Sequence, residues 1–140
     1  VAQTFEIEIA TPERMLVREQ ATEAQIPALN GYIGVLPDHA PLLSELGYGA
    51  LSFTSGGQKH FLAVHGGFLE IMDNRVRVLA TVAEPVEEID IHRAEEALKR
   101  ANERLLHSPA TINVGRALAA AMRAQARLDC ARQAGVPIKH

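Results

Sequence analysis

The apolar residues of this 140-residue chain change their spacing once, at Val86 to Ile89, and no single motif constrains the fold as strongly. Before that point they recur at every second residue; after it they recur three and four apart. A strand shows alternate residues to one face and a helix every third or fourth, so a β part is followed by an α part, without interleaved βαβ units. The expected division is a β domain over residues 1–86 and a helical domain over 87–140.

In the first part Phe5, Ile7 and Ile9 alternate with Glu6 and Glu8 until Thr11-Pro12 stops the run. Short strand patterns follow around Met15–Val17 and Ala24–Ala28. Gly49–Thr54 and His60–Val64 flank Ser55-Gly56-Gly57, and Phe68–Met72 and Val76–Ala80 flank Asp73-Asn74, which are the residue types of tight hairpin turns. Strands at roughly ten-residue spacing predict an antiparallel sandwich or barrel.

In the second part Ile91, Ala94, Leu98, Ala101 and Leu105 form one helical seam. Asp90 is the expected N-cap, and Ser108-Pro109 ends the helix because the residue before proline avoids helical angles. Thr111 is the expected cap of a second helix, which buries Val114, Leu118, Ala121 and Leu128 and reaches about Gln133, with Gly135 and Pro137 beyond. A short connection makes the two helices antiparallel. Their seam is rich in alanine, so the hairpin is marginal unless it leans on the β part, a ligand or a partner.

Composition limits the function. Hydrophobic residues make up 47% of the chain, enough for one compact domain or a domain with a small appendage. Aromatic residues are 4% with no Trp, which argues against base-stacking recognition of nucleic acid. Cys130 is the only cysteine, so neither an internal disulfide nor a thiolate metal scaffold is implied. The apolar runs fall short of the ~20 residues of a membrane span, and Val1 to Ala10 carries glutamates where a leader carries cations; the expectation is a soluble, internal chain. Net charge is −3 overall, yet −7 over residues 1–88 and +4 over 89–140, a split that suits the helices to an acidic surface or a polyanion.

Several motifs read as structure rather than chemistry. His65-Gly66-Gly67 has the look of an esterase oxyanion loop, but no G-x-S-x-G nucleophile accompanies it, and close glycine packing is the better reading. His60 and His65, five apart, fall on opposite faces of a regular strand and so do not share a metal. Asp38-His39, between Pro37 and Pro41, looks like a rigid loop presenting one imidazole. No phosphate-binding P-loop is present. The arginines say more. With the helix turn centred near Ser108-Pro109, Asp90 lies level with residue 127 and Arg93 with residue 124, so Arg123 and Arg127 come near Asp90 and Arg93 in height, while Arg100 lies two turns further along the face of Arg93. Guanidiniums gathered around one carboxylate suit a phosphate group; the plainer alternative is a solvated face with an Asp90–Arg127 salt bridge.

Gly34-Val35-Leu36-Pro37-Asp38-His39-Ala40-Pro41-Leu42-Leu43, Gly66-Gly67-Phe68-Leu69-Glu70 and Val76-Arg77-Val78-Leu79-Ala80, on a β part followed by a helical hairpin, resemble the epsilon-subunit family of F-type ATP synthases over essentially the whole chain. The resemblance implies an α+β fold, an antiparallel β-sandwich followed by an antiparallel two-helix hairpin. It implies a non-catalytic rotor part whose sandwich attaches to the gamma subunit and the c-subunit ring, with Tyr32, Pro37, His39, Pro41 and Leu42 at that interface. Tyr32 stands where some bacterial members carry an acidic residue, so that polar contact does not transfer. The hairpin of such a subunit folds on the sandwich or extends into the alpha/beta head and inhibits hydrolysis, with Arg116, Arg123, Arg127 and Arg132, and Lys139 beyond them, suited to an acidic region of beta. Some members bind ATP through I/L-D-x-x-R-A and arginines of the second helix. Ile89-Asp90-Ile91-His92-Arg93-Ala94 matches that pattern, and Glu84, Arg100, Arg123 and Arg127 fall at the other positions. ATP is then a regulatory ligand, and no cofactor or metal is required. The implied location is peripheral, at the cytoplasmic face of a bacterial membrane. Two other classes compete: a free-standing nucleotide-sensing module and a small hydrolase using His39 or His65.

Overall fold

A computed structural model describes residues 2–107 and 113–136 of the chain. Eight strands come first: β1 (Phe5–Ala10), β2 (Met15–Ala21), β3 (Glu23–Ala28), β4 (Gly31–Val35), β5 (Leu42–Glu45), β6 (Gly49–Ser55), β7 (Gln58–Met72) and β8 (Arg75–Pro85). One 3₁₀ turn, Val86–Glu88, leads to the helices α1 (Ile91–His107) and α2 (Val114–Gln133). Both expected hairpin turns form, with positive φ at Gly56 and Gly57 and at Asp73 and Asn74.

The long β7–β8 hairpin builds the sandwich. Its turn half pairs with β1 through β8 and with β5 through β7; its other half pairs with β6, which continues to β3 and β4. Leu62 and Val64 face the core on one side of Gly66-Gly67 and Leu69 and Ile71 on the other, so the inward parity flips there. On β8 the inward set passes in the same way from Val76, Val78 and Ala80 to Ala83. Two consecutive residues with φ of 69° and 101° let the hairpin kink from one layer into the other while its register stays unbroken. The flipped parity is why spacing alone divides β7 into two strands, at His60–Val64 and Phe68–Met72. β4 and β5, which spacing did not single out, flank the expected loop between Pro37 and Pro41. One pair departs from the antiparallel rule: β1 runs parallel to β8, from Glu6 opposite Arg75 to Ala10 opposite Leu79. Phe5, Ile7, Ile9, Ile26, Leu51, Phe53, Leu69 and Ile71 fill the core between the layers.

Asp90 caps α1 as expected, its Oδ1 accepting from the Arg93 backbone N–H at 3.0 Å. Ala94 and Ala101 of the expected seam are buried, with Ile91, Leu98 and Leu105 half-buried beside them. In α2 the expectation fails in part: Val114 and Leu118 are exposed, while Ala117, Ala124, Ala126, Leu128, Cys130 and Ala131 are buried. The reason is that α2 has two covered sides, packing on α1 and also on β6 and β7, where Cys130 meets Ala50 and Ala63. Small side chains permit that close double approach, but each buries little area. The cap of α2 is Asn113 rather than the expected Thr111, because the helix starts at Val114 and the Asn113 Oδ1 accepts from the Arg116 N–H at 3.0 Å. Thr111, Ser108-Pro109, Pro137 and Lys139 lie outside the described residues. Beyond Gln133, the N–H groups of Gly135 and Val136 reach back to the carbonyls of Arg132 and Ala131 and close the helix end. Asn113→Ala removes the N-terminal cap and is expected to destabilise α2 by about 1 kcal/mol, read as faster hydrogen exchange in its first turns with unchanged exchange in the sandwich.

Candidate functional site

The chain between β8 and α1 sets up a cleft against α2. Ile89 packs with Val86 and Phe61 against the Ala50–Ala63–Cys130 cluster, anchoring the base of the hairpin. Asp90 then starts α1, which places Arg93 and Arg100 two turns apart on one face, with Ala94 and Ala97 leaving space between them. Together with Glu84, Glu88 and Arg127 these residues line a cavity of about 390 Å³, within the usual range for small-molecule sites.

The charges in the cavity are unequally engaged. Glu84 Oε1 accepts from Nε of Arg127 at 2.7 Å and forms an ion pair with its Nη2 at 2.7 Å, with both side chains 29% exposed. The Glu88 carboxylate accepts from Arg14 Nη2 at 3.0 and 3.1 Å, and Asp90 is occupied as a cap. The Asp90–Arg127 pair considered from spacing is replaced by Glu84–Arg127, because Asp90 is taken up as the cap of α1 while Glu84, near the end of β8, reaches Arg127. No ion pair among the described residues engages Arg93 or Arg100. The cavity therefore offers two unpaired planar forks, a donor set suited to phosphate oxygens.

Of the eight residues expected at an ATP site, Glu84, Asp90, Arg93, Ala94, Arg100 and Arg127 line this cavity. Ile89 is used in packing, and Arg123 is not in the lining, its charge acting instead on His65. Glu88 and Ala97, absent from the expected set, complete the wall. Arg116 is exposed at the start of α2, and Arg132 pairs with Asp129 at 3.3 Å.

On the sandwich, Pro37, His39 and Leu42 are half-buried and Tyr32 and Pro41 exposed. The loop is pinned at Asp38, whose N–H donates to Asn74 Oδ1 at 2.8 Å. His39 Nδ1 lies 2.6 Å from the carbonyl oxygen of its own neighbour Ala40, and Tyr32 Oη accepts from the Ala50 N–H at 3.1 Å. His60 stacks on Phe53 and His65 on Tyr48, each ring pair at 5.0 Å, on opposite faces of β7. Gly67 has no room for a side chain: a Cβ there would lie 1.9 Å from the Leu79 carbonyl oxygen.

A second surface was not anticipated. Phe68 on β7 faces Leu79 on β8, Leu79 faces Ala10 on β1, and Ala10 faces Met15 on β2. This row crosses the outer side of the sheet with Phe68 55%, Leu79 60% and Met15 53% exposed. An apolar band of this kind marks a contact surface. The signal was present in the sequence: between the inward Val78 and Ala80, Leu79 occupies an outward position where alternation calls for a polar residue.

These features define a two-part chain: a β-sandwich with an apolar outer band, carrying a two-helix hairpin that encloses an anion-suited cleft against it. The sequence matches the family described as ATP synthase, Delta/Epsilon chain, beta-sandwich domain, over residues 4–86, and its long alpha-helix domain over residues 87–132. The chain belongs to this ATP synthase delta/epsilon family and is a non-catalytic stalk chain, the catalytic chains being alpha and beta. It is 57% identical over 128 residues to the ATP synthase epsilon chain of Solibacter usitatus, covering 91% of this chain and 96% of that one. It is 42% identical over 132 residues to the epsilon chain of Desulfitobacterium hafniense, covering 94% and 99%. The fold recurs, at 22% identity and a TM-score of 0.73, in the Euglena gracilis mitochondrial ATP synthase structure of OSCP, F1 and c-ring, covering 98% of this chain and 84% of that one. No helix among the described residues is long and apolar enough to cross a membrane.

Proposed function

We propose that the sandwich helps to couple proton flow to rotation, and so to ATP synthesis, by attaching to the gamma subunit and the c-subunit ring, while the hairpin inhibits ATP hydrolysis by leaving the sandwich for the alpha/beta head. Membership of the family and the apolar band through Phe68, Leu79 and Met15 support attachment. The band is the larger contact, and the Tyr32 and Pro37–Leu42 region forms a second contact. Association with the cytoplasmic face of a bacterial membrane is then peripheral and runs through the complex.

In this reading ATP binds the docked hairpin as a regulatory ligand. The observation that carries it is the composition of the cavity wall, with Glu84 from the sandwich, Arg93 and Arg100 from α1 and Arg127 from α2. A ligand there bridges the elements that must part, so it stabilises the docked state by RT ln(1 + [L]/Kd), ~2.7 kcal/mol at a hundredfold excess over Kd. When the hairpin departs, Arg116, Arg123, Arg127 and Arg132, with the exposed Val114 and Leu118, form the face offered to beta.

The test is calorimetric titration of the full chain with ATP. Arg93→Ala and Arg100→Ala, each removing a charge-assisted donor, are expected to weaken binding by about 10- to 100-fold, and Arg123→Ala by less. Equal affinities for all four proteins remove the ATP site and leave the family assignment intact.

A further inference from the structure

Beneath α2 lies a histidine that the proposed function does not use. His65 sits on β7 next to the Gly66-Gly67 kink, half-buried, its ring stacked on Tyr48 with an interplanar angle of 8°. Its Nε2 is sealed from solvent and has no hydrogen-bond partner. A neutral ring tolerates this by keeping its proton on Nδ1 and leaving Nε2 as a lone pair. A protonated ring must place an N–H there with no acceptor, a desolvated donor on a cation. The charged groups facing the ring are Arg123 and Arg127 from α2 and Glu84 from β8. Glu84 is already held by Arg127 at 2.7 Å, so the field at His65 is left cationic by Arg123.

We propose that His65 makes the docking of the helical hairpin pH-sensitive: protonation of its imidazole under α2 releases the helices from the sandwich. Burial holds the imidazole below its ordinary value of 6.5, Arg123 and Arg127 push in the same direction, and Glu84 opposes them. The undocked state, with α2 and its arginines removed, binds the proton more readily. Docking stability from this group is therefore fully present above 6.5 and is lost as pH falls below it, toward the depressed value of the docked state. Acidification then favours the released hairpin, independently of any ligand in the arginine cleft. The device is able to work because α2 is held largely by alanine contacts, so a single buried charge is a large fraction of what holds it.

The chain carries its own reporter. Cys130, the only cysteine, is fully buried between α2 and the Ala50–Ala63 patch, and burial, then Glu87 and Glu84, push its thiol up to about 12. Undocking exposes it to thiol reagents. The experiment measures Cys130 labelling of the full chain from about pH 7.5 to about pH 5.5 in wild type and His65→Gln, taking the ratio at each pH to cancel the reagent's own pH dependence; the ratio is expected to rise toward acid, by at most tenfold per pH unit. A flat ratio overturns the proposal. Because His65→Gln can itself undock the hairpin, the His65 ring is also titrated by NMR in wild type, where a midpoint at or above 6.5 overturns the proposal and one below it supports it. Cys130 closed at every pH in wild type sinks the mobile hairpin itself, an outcome distinct from opening that ignores pH.

Discussion

Gly67→Ala is expected to destabilise the sandwich by ~4 kcal/mol or more, which places it among the most damaging single-methyl changes available in this chain. Two costs combine. A φ of 101° is a region that a side chain enters only at about 1–3 kcal/mol. The added Cβ also meets the Leu79 carbonyl oxygen at 1.9 Å and Ala80 Cα at 3.1 Å, backbone atoms of the paired strand that cannot swing aside. Relief requires β7 and β8 to part at the point where the hairpin passes from one layer to the other, which disrupts both. Gly56→Ala is the matched control: its φ is 58° and nothing lies within 4 Å of the new methyl, so its cost is only that of the left-handed conformation, roughly 1–2 kcal/mol. Urea unfolding of the two variants measures the difference, and similar losses would show that the close approach at Gly67 is not what shapes the hairpin.

Leu79→Asp is expected to leave the isolated chain folded and to weaken its assembly with the stalk by at least ~100-fold, if the apolar band is the attachment surface proposed above. At 60% exposure the side chain contributes little to the sandwich core, so melting temperature and ATP titration should stay near wild type. In an interface the same position would bury a carboxylate beside Phe68 and Met15 with no cation in that row. Co-purification with gamma separates the cases: unchanged recovery of the complex rules out this band as the main contact and leaves the Pro37–Leu42 loop as the alternative.

What was legible in the sequence had a short range. Val76-Arg77-Val78 announces a strand because adjacent residues already disclose its period, and Asp90 announces a helix start because the N–H it caps is three residues away. Asp73-Asn74 names its own turn for the same reason. The arginine cleft was partly legible, since an antiparallel hairpin with a short connection brings Arg127 near Arg93 and Asp90 by counting alone. Counting did not reveal that Glu84 would take Arg127, nor that the charge of Arg123 would act on His65, because both depend on how α2 lies on β6 and β7. The failure at Val114 and Leu118 has the same origin: a helix covered on two sides by alanines does not display a single apolar stripe.

By itself, then, the sequence determined the order of β and α parts, the sites of the hairpin turns, the Asp90 cap and the face of α1 that is buried. All of these follow from torsional preference and hydrogen bonding within a few residues. Tertiary structure alone decided the parallel seating of β1 on β8, the passage of one kinked hairpin through both layers, the Glu84–Arg127 contact and the enclosure of His65. Those features join residues far apart along the chain, and their distances are set by how close-packed surfaces fit, which local spacing does not encode.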